Sequence, residues 1–269
     1  MSPDCKSFKC VKNGFKNDKQ RYLCKNCKSS FDAFRNHFTY RSKLSYEQWD
    51  LLIKIAMLGQ SSRIIANFIN TSTLSAWFNR QKLMKSKQLA KTQKSFKKLS
   101  GIIEIDETFI KEIHKGNFKS KDDPRKLYIE PNAKNTKCCI QVAIDENLNI
   151  YAQVTNTKRL KRKWVEDNLT NKLIKENSLL KTDMHPLYDL VAIQTKCKLK
   201  QVKHNASKKA SYYNLKNVSK VQSSIKEFLT HYHGIGFTNI QDYLNLWKWK
   251  YQHYGLNPYQ QSSLLYFNL

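Results

Sequence analysis

The sequence predicts an α/β fold: a mixed sheet flanked by helices, preceded by a small cysteine-rich module and a group of short helices. Three observations carry this. Four of the seven cysteines crowd into the first 27 residues, where apolar periodicity is scarce. From Leu44 apolar residues recur at helical spacing. After Ser100, β-branched runs alternate with helix-period segments, the order of a layered α/β domain.

Residues 1 to about 35 hold too few apolar side chains for a core and need a staple. Cys24 and Cys27 in YLCKNCKSSF stand at C-x2-C spacing, and Cys5 and Cys10 lie upstream across the turn-forming KNGFKND. Thiolates in such pairs are the usual ligands of structural Zn²⁺, and the outline is that of a zinc ribbon. The upstream pair is C-x4-C, and Ser2 stands where a C-x2-C partner of Cys5 would place a thiolate. Either Zn²⁺ is held by Cys5, Cys10, Cys24 and Cys27, or the site has lost a ligand at Ser2. Cys138, Cys139 and Cys197 read as small buried hydrophobes.

In LSYEQWDLLIKIAMLG, Trp49, Leu52, Ile53 and Ala56 fall at i, i+3, i+4 and i+7, with Ser45 as N-cap and Gly59 as the stop. SSRIIANFI predicts a second, short helix and TSTLSAWFNRQKLMKSK a third, capped in the Thr71 to Thr73 region. Short helix, tight polar turn and basic helix form the helix-turn-helix arrangement, with a plain three-helix bundle as the alternative. Arg80, Lys82, Lys85 and Lys87 favour contact with DNA. The stretch from Lys85 to Lys98 reads as a linker able to follow a phosphate backbone.

GIIEIDETFI, KCCIQVAIDE and NIYAQVTNT are three β-rich runs, the last two joined by a hairpin at DENLN. An amphipathic helix in LKRKWVEDNLTNKLI follows, then a strand LLKTDMH, a helix PLYDLVAIQT, a strand LKQVKH and a long helix through VSKVQSSIKEFLTHYH. Three meandering strands followed by alternating helices and strands is the order of an RNase H-like domain. Residues 111 to 136 interrupt the first hairpin with a long polar segment, either a solvated charged loop or one that touches DNA. The expected division is a zinc-ribbon-like module at 1–35 and a helix-turn-helix domain with basic linker at 36–98. A catalytic α/β domain at 99–230 and a C-terminal helical extension at 231–269 follow.

Lys and Arg number 48 against 21 Asp and Glu, a formal charge of +27, which suits a polyanionic partner rather than an ordinary metabolite. The first 100 residues hold 21 basic and 5 acidic side chains, so the main grip on nucleic acid is expected there. No apolar run approaches the roughly 18 residues of a membrane span, and MSPDCKSFKC has no apolar segment like a signal peptide. A soluble protein without a membrane partner, cytoplasmic and associated with the nucleoid, is expected.

Against that positive background, three carboxylates sit within four residues of the apolar run GIIEIDETFI. On a strand, Glu104 and Asp106 share one face while Ile103, Ile105 and Glu107 share the other. A carboxylate placed in such a run needs a cation or hydrogen-bond donors, so the strand is either salt-bridged to Lys or Arg or built to hold a metal. Asp183, at the end of LLKTDMH, is expected beside the first strand. Two aspartates there could hold Mg²⁺, which takes one or two carboxylates plus phosphate oxygens, the setting of two-metal phosphoryl transfer.

Together QRYLCKNC, KLSYEQWDLLIKIAMLGQSSRIIANFI, EIDETFI, TDMHPLYDLVA, VKH, NVSKVQSSIKEFLTHYHGI and IQDYLNLWKWK resemble the DDE transposases of bacterial insertion sequences. The similarity is to the ISXO2-like branch, which joins a zinc ribbon and a helix-turn-helix to an RNase H-like core. The resemblance implies Asp106 and Asp183 as the first two catalytic acids, with Mg²⁺ or Mn²⁺ as cofactor, and Lys226 as a helix lysine beyond the third. The third position, glutamate or sometimes asparagine in the family, falls on Ser219, and Asn214 stands where histidine is frequent. A hydroxyl can ligate Mg²⁺ but is neutral. The resemblance also implies double-stranded DNA as partner, both terminal inverted repeats and target, and a homodimer or larger synaptic complex.

Two functions follow. One is a transposase that binds its element's ends, cleaves their 3′ boundaries and joins them to target DNA. The other is a catalytically inactive, transposase-derived DNA-binding protein, which the departure at Ser219 favours. An RNA-binding reading suits the charge and the ribbon but leaves the two strand-end aspartates unexplained.

Overall fold

Local chemistry sets the first elements. In the computed structural model, which describes all residues except 17–18, 33, 36, 87–88, 91–97, 112–136, 156–158, 203–214, 233–234 and 268–269, the chain forms two compact units. Met1–Leu58, Ser62–Ala90 and Leu256–Leu269 make the first; Gly59–Ser61 and Lys91–Gly255 make the second. In the first, β1 (Cys10–Lys16), β2 (Lys19–Cys24) and β3 (Ser30–Asp32) form an antiparallel sheet in that order. Among the described residues of this ribbon only Ser2 and Cys24 are buried, so it has no apolar core of its own.

Helix α1 (Tyr46–Met57) opens with a full capping box. The Gln48 amide N–H donates to Ser45 Oγ at 3.3 Å, and the Ser45 N–H donates to Gln48 Oε1 at 2.9 Å. Its apolar stripe buries Trp49, Leu52, Ile53 and Ala56, and Gly59 at φ +77° ends it in a conformation that suits glycine. Helices α2 (Ser62–Phe68) and α3 (Thr73–Met84) pack on each other and on α1, with Ser72 capping α3. These are the three short helices expected there, in the expected order.

The second unit holds a five-stranded mixed sheet. β4 (Ile102–Lys111), β5 (Lys137–Asp145) and β6 (Ile150–Val154) pair antiparallel; β7 (Leu179–Thr182) pairs parallel with β4, and β8 (Lys198–Gln201) parallel with β7. The order β6-β5-β4-β7-β8, with the longest strand central, is RNase H-like. Gly101 enters β4 at φ +72°, where an added Cβ would collide with the Glu146 carboxylate. Asp145 ties the β5–β6 turn, accepting from the Asn147 and Asn149 N–H groups at 2.9 Å each.

On one face of the sheet, Ile103, Ile105 and Leu180 pack with α4 (Arg162–Asn168) and α5 (Leu187–Thr195) through Val165, Leu169, Tyr188 and Val191, all fully buried. On the other lies α6 (Lys216–Thr230), against β4 and β5. After the short 3-10 turn Phe237–Asn239, α7 (Ile240–Gln252) packs on β6 and α6. The last helix, α8 (Pro258–Phe267), belongs to the first unit and packs on α1. There Ser262 Oγ donates to Asp50 Oδ1 at 2.5 Å, and His37 Nε2 lies 2.9 Å from the Tyr266 carbonyl oxygen. No helix among the described residues is long and apolar enough to cross a membrane.

Lys248 on α7 is 1% exposed, and burial pulls its pKa down to about 7. An unfolded lysine titrates near 10.4, so between about pH 7 and pH 10 the unfolded chain binds more protons than the folded one. Stability from this residue therefore rises with pH across that window. Lys248→Met is expected to abolish the rise, measured as urea midpoints at pH 7 and pH 9.5.

Candidate active site

The three carboxylates of β4 have three different jobs. Glu104, 6% exposed, faces the start of α6. Its Oε2 accepts from the backbone N–H groups of Asn217 at 2.8 Å and Val218 at 3.0 Å, and its Oε1 accepts from Asn217 Nδ2 at 3.1 Å. These are first-turn amides, which no intrahelical carbonyl can satisfy, and the positive end of the helix dipole favours a carboxylate there. The anion expected to need a salt bridge or a metal is held by a helix N-terminus instead.

Asp106, two residues along the same face, meets the same helix one turn later. Gln222 Nε2 donates to Asp106 Oδ2 at 2.9 Å, and the Glu107 N–H donates to Asp106 Oδ1 at 2.8 Å. Glu107 points to the opposite face, where the Tyr188 hydroxyl donates to its Oε1 at 2.5 Å. That hydroxyl in turn accepts from Gln141 Nε2 at 3.0 Å. Asp183 follows the last residue of β7, whose Thr182 is in register with Ile105, so it stands beside Asp106. The His185 N–H donates to its Oδ1 at 3.1 Å.

One carboxylate oxygen each from Asp106, Glu107 and Asp183 lies within 4.8 Å of the others. Among the described residues none of the three is ion-paired. Burial raises the Asp106 pKa, partly offset by the Gln222 amide, while Asp183 pushes it further up. Burial lifts Glu107 to about 7; the Tyr188 hydroxyl pulls it down, and the charges of Asp183 and Asp106 push it up. Three crowded hard-oxygen donors suit Mg²⁺ or Mn²⁺, and a divalent cation would relieve their mutual repulsion.

Ser219 lies on α6 one turn before Gln222, and its carbonyl oxygen accepts from Ser223 Oγ at 2.9 Å. Lys226, exposed on the same helix, is close enough for its charge to favour ionised Asp106. The sequence alone did not single out Gln222, Tyr188 or Gln141; each is polar yet 9% exposed or less. The polar tips of Gln222 and Gln141, on an apolar helix face and an apolar strand, were the available signal.

In the ribbon, Cys5, Cys24 and Cys27 gather within 4.8 Å of one another. Cys5 and Cys24 sulfurs are 3.5 Å apart, and Ser2 Oγ lies 3.6 Å from Cys27 Sγ. Backbone N–H groups of Cys27 and Asn26 lower the Cys24 pKa, and the hydroxyls of Ser29 and Ser2 bring Cys27 down to about 6. The set fits Zn²⁺, which needs thiolates. Cys10 lies opposite Cys24 on the adjacent strand, outside the 4.8 Å group; its Sγ donates to the Ser7 carbonyl oxygen at 3.4 Å, and burial together with the neighbouring Cys24 raises its pKa.

The basic residues of α3 divide. Arg80 is 7% exposed, and Lys82 Nζ donates to the Tyr40 carbonyl oxygen at 3.1 Å, so both face inward. Lys85 is exposed at the helix end. The solvent side of α3 carries Leu74, Trp77 and Phe78 instead. Lys87, Asn214 and the polar segment 112–136 lie outside the described residues.

Among solved structures, the chain is similar to the mariner Mos1 paired-end complex with Mg, at 14% identity and TM-score 0.38, covering 82% of this chain and 76% of that one. It is similar to the Mos1 strand transfer complex at 12% identity and TM-score 0.37, covering 82% and 75%. The simian T-cell lymphotropic virus intasome in complex with PP2A regulatory subunit B56 gamma matches at 12% identity and TM-score 0.35, covering 73% and 67%. A comparison with curated protein sequences finds no match. The model of the ISXO2-like transposase domain matches residues 98–252, more than half of the sequence. That segment holds all five strands of the mixed sheet, the carboxylate cluster and α6, and the chain belongs to the ISXO2-like transposase family.

Proposed function

We propose that the protein is the DNA transposase of an insertion sequence, which binds the element's ends, cleaves their 3′ boundaries and transfers them to target DNA. The carrying observation is the cluster of Asp106, Glu107 and Asp183, brought together from adjacent strands in a chain of charge +27. Mg²⁺ or Mn²⁺ held by Asp106 and Asp183 would supply an activated nucleophile and charge stabilisation at the scissile phosphate. Tyr188 and Gln141 hold the Glu107 carboxylate toward the cluster, and Gln222 fixes one oxygen of Asp106. Lys226, exposed beside the site, suits a phosphate contact.

The ribbon with Zn²⁺ and the helix-turn-helix would carry end recognition, Lys85 contacting backbone phosphate, and the mixed-sheet domain the chemistry. Acting on two ends implies a dimer or larger synaptic complex, and DNA as substrate implies association with the nucleoid. The second reading, a DNA-binding protein that has lost the chemistry, is favoured by Ser219 at the third acidic position.

Strand-specific cleavage of labelled DNA carrying the element's ends, in Mg²⁺ or Mn²⁺, tests both. Cut 3′ ends that fall by at least about 10³-fold in Asp106→Asn are expected. Salt-sensitive end binding with no cleavage by either protein would establish the second reading.

A further inference from the structure

We propose that Gln222 is the α6 member of the metal site and takes the place that Ser219 leaves without a carboxylate. The inference rests on the reading of Asp106 and Asp183 as metal ligands and names the residue that completes them. Gln222 is 9% exposed, and its amide is spent on Asp106 Oδ2 at 2.9 Å. A buried glutamine aimed at an acidic cluster carries a donor and an acceptor on one carbon. While its NH2 holds Asp106, its carbonyl oxygen is a hard, neutral donor of the kind these cations accept.

Charge balance explains why an amide serves here. Asp106, Glu107 and Asp183 already supply three carboxylates within 4.8 Å of one another. A glutamate from α6 would add a fourth anion to a half-buried site, whereas a glutamine completes the oxygen set without added repulsion. Helix phase explains why Gln222 serves rather than Ser219. Glu104 fixes the start of α6 through Asn217 and Val218, and the residue that then arrives at Asp106 is Gln222. Ser219 stands about 60° around the helix and about 4.5 Å back along it.

Mn²⁺ binding, followed by the electron paramagnetic resonance of the free ion, and the Mg²⁺-induced rise in melting temperature test this on the full chain. Gln222→Met is expected to weaken Mn²⁺ binding by about tenfold or more while leaving the metal-free melting temperature within about 3 °C of wild type. Gln222→Glu should bind Mn²⁺ at least as tightly as wild type with a larger Mg²⁺-induced rise, and Ser219→Ala should bind within about twofold. Weaker binding by Gln222→Glu would reduce Gln222 to a holder of Asp106 and overturn the assignment, as would wild-type affinity in Gln222→Met. Loss of binding in Ser219→Ala would return the role to Ser219. Asp106→Asn is the separating control: if it binds Mn²⁺ like wild type, the metal-site reading itself fails, whatever Gln222 does.

Discussion

Glu104→Ala is expected to lose about 2–4 kcal/mol of stability in the mixed-sheet unit and nearly all cleavage, although Glu104 lies outside the carboxylate cluster. The buried backbone N–H of Val218 would lose its acceptor, at about 1–3 kcal/mol, and the part-buried N–H of Asn217 would lose its own at a smaller cost. The loss of a negative charge at the helix start adds to this. The functional effect follows from geometry: with the first turn unpinned, Gln222 no longer arrives at Asp106 Oδ2. Glu104→Gln keeps an acceptor oxygen and should recover most of the stability and a measurable fraction of the cleavage. Chemical denaturation and the end-cleavage assay, run on both variants, check this. Full activity in a stably folded Glu104→Ala would show that the clamp does not position the site.

Withdrawal of Zn²⁺ is expected to unfold the ribbon, residues 1 to 32, while leaving the mixed-sheet unit intact. With only Ser2 and Cys24 buried among its described residues, the sheet has no apolar reserve once the thiolates lose their ion. Structural zinc contributes on the order of 10 kcal/mol to folds of this size. Cys24→Ala should reproduce the effect, read as proteolysis confined to the first 32 residues. Ser2→Cys places a further thiolate beside Cys27 and should tighten Zn²⁺ binding by at least about tenfold. Cys10→Ala should retain stoichiometric zinc; its loss there would restore the set Cys5, Cys10, Cys24 and Cys27.

Much of the architecture was legible because short-range patterns determine it. Alternation in GIIEIDETFI and the apolar runs that follow give the strand order, and with it the meeting of Asp106 and Asp183. The capping box at Ser45 is written in four consecutive residues. Glu104 and Gln222 were opaque for the opposite reason, since their partners lie 113 and 116 residues away and nothing local marks them. Helix α3 misleads by composition: its buried side holds Asn79, Arg80 and Gln81. Asn79 Oδ1 accepts from Ser42 Oγ at 3.1 Å and Lys82 serves the Tyr40 carbonyl, so these two side chains satisfy the preceding loop rather than solvent. A basic helix read from sequence alone would turn that side outward.

The place of α8 has a consequence for synthesis. Its contacts are with α1, more than two hundred residues earlier, and the whole mixed-sheet unit is encoded between them. A chain emerging from the ribosome can assemble the three-helix group early, but it cannot close that group until translation has passed Phe267. The first unit to begin folding is therefore the last to finish, and a nascent or truncated product would carry a completed mixed sheet and an open three-helix group.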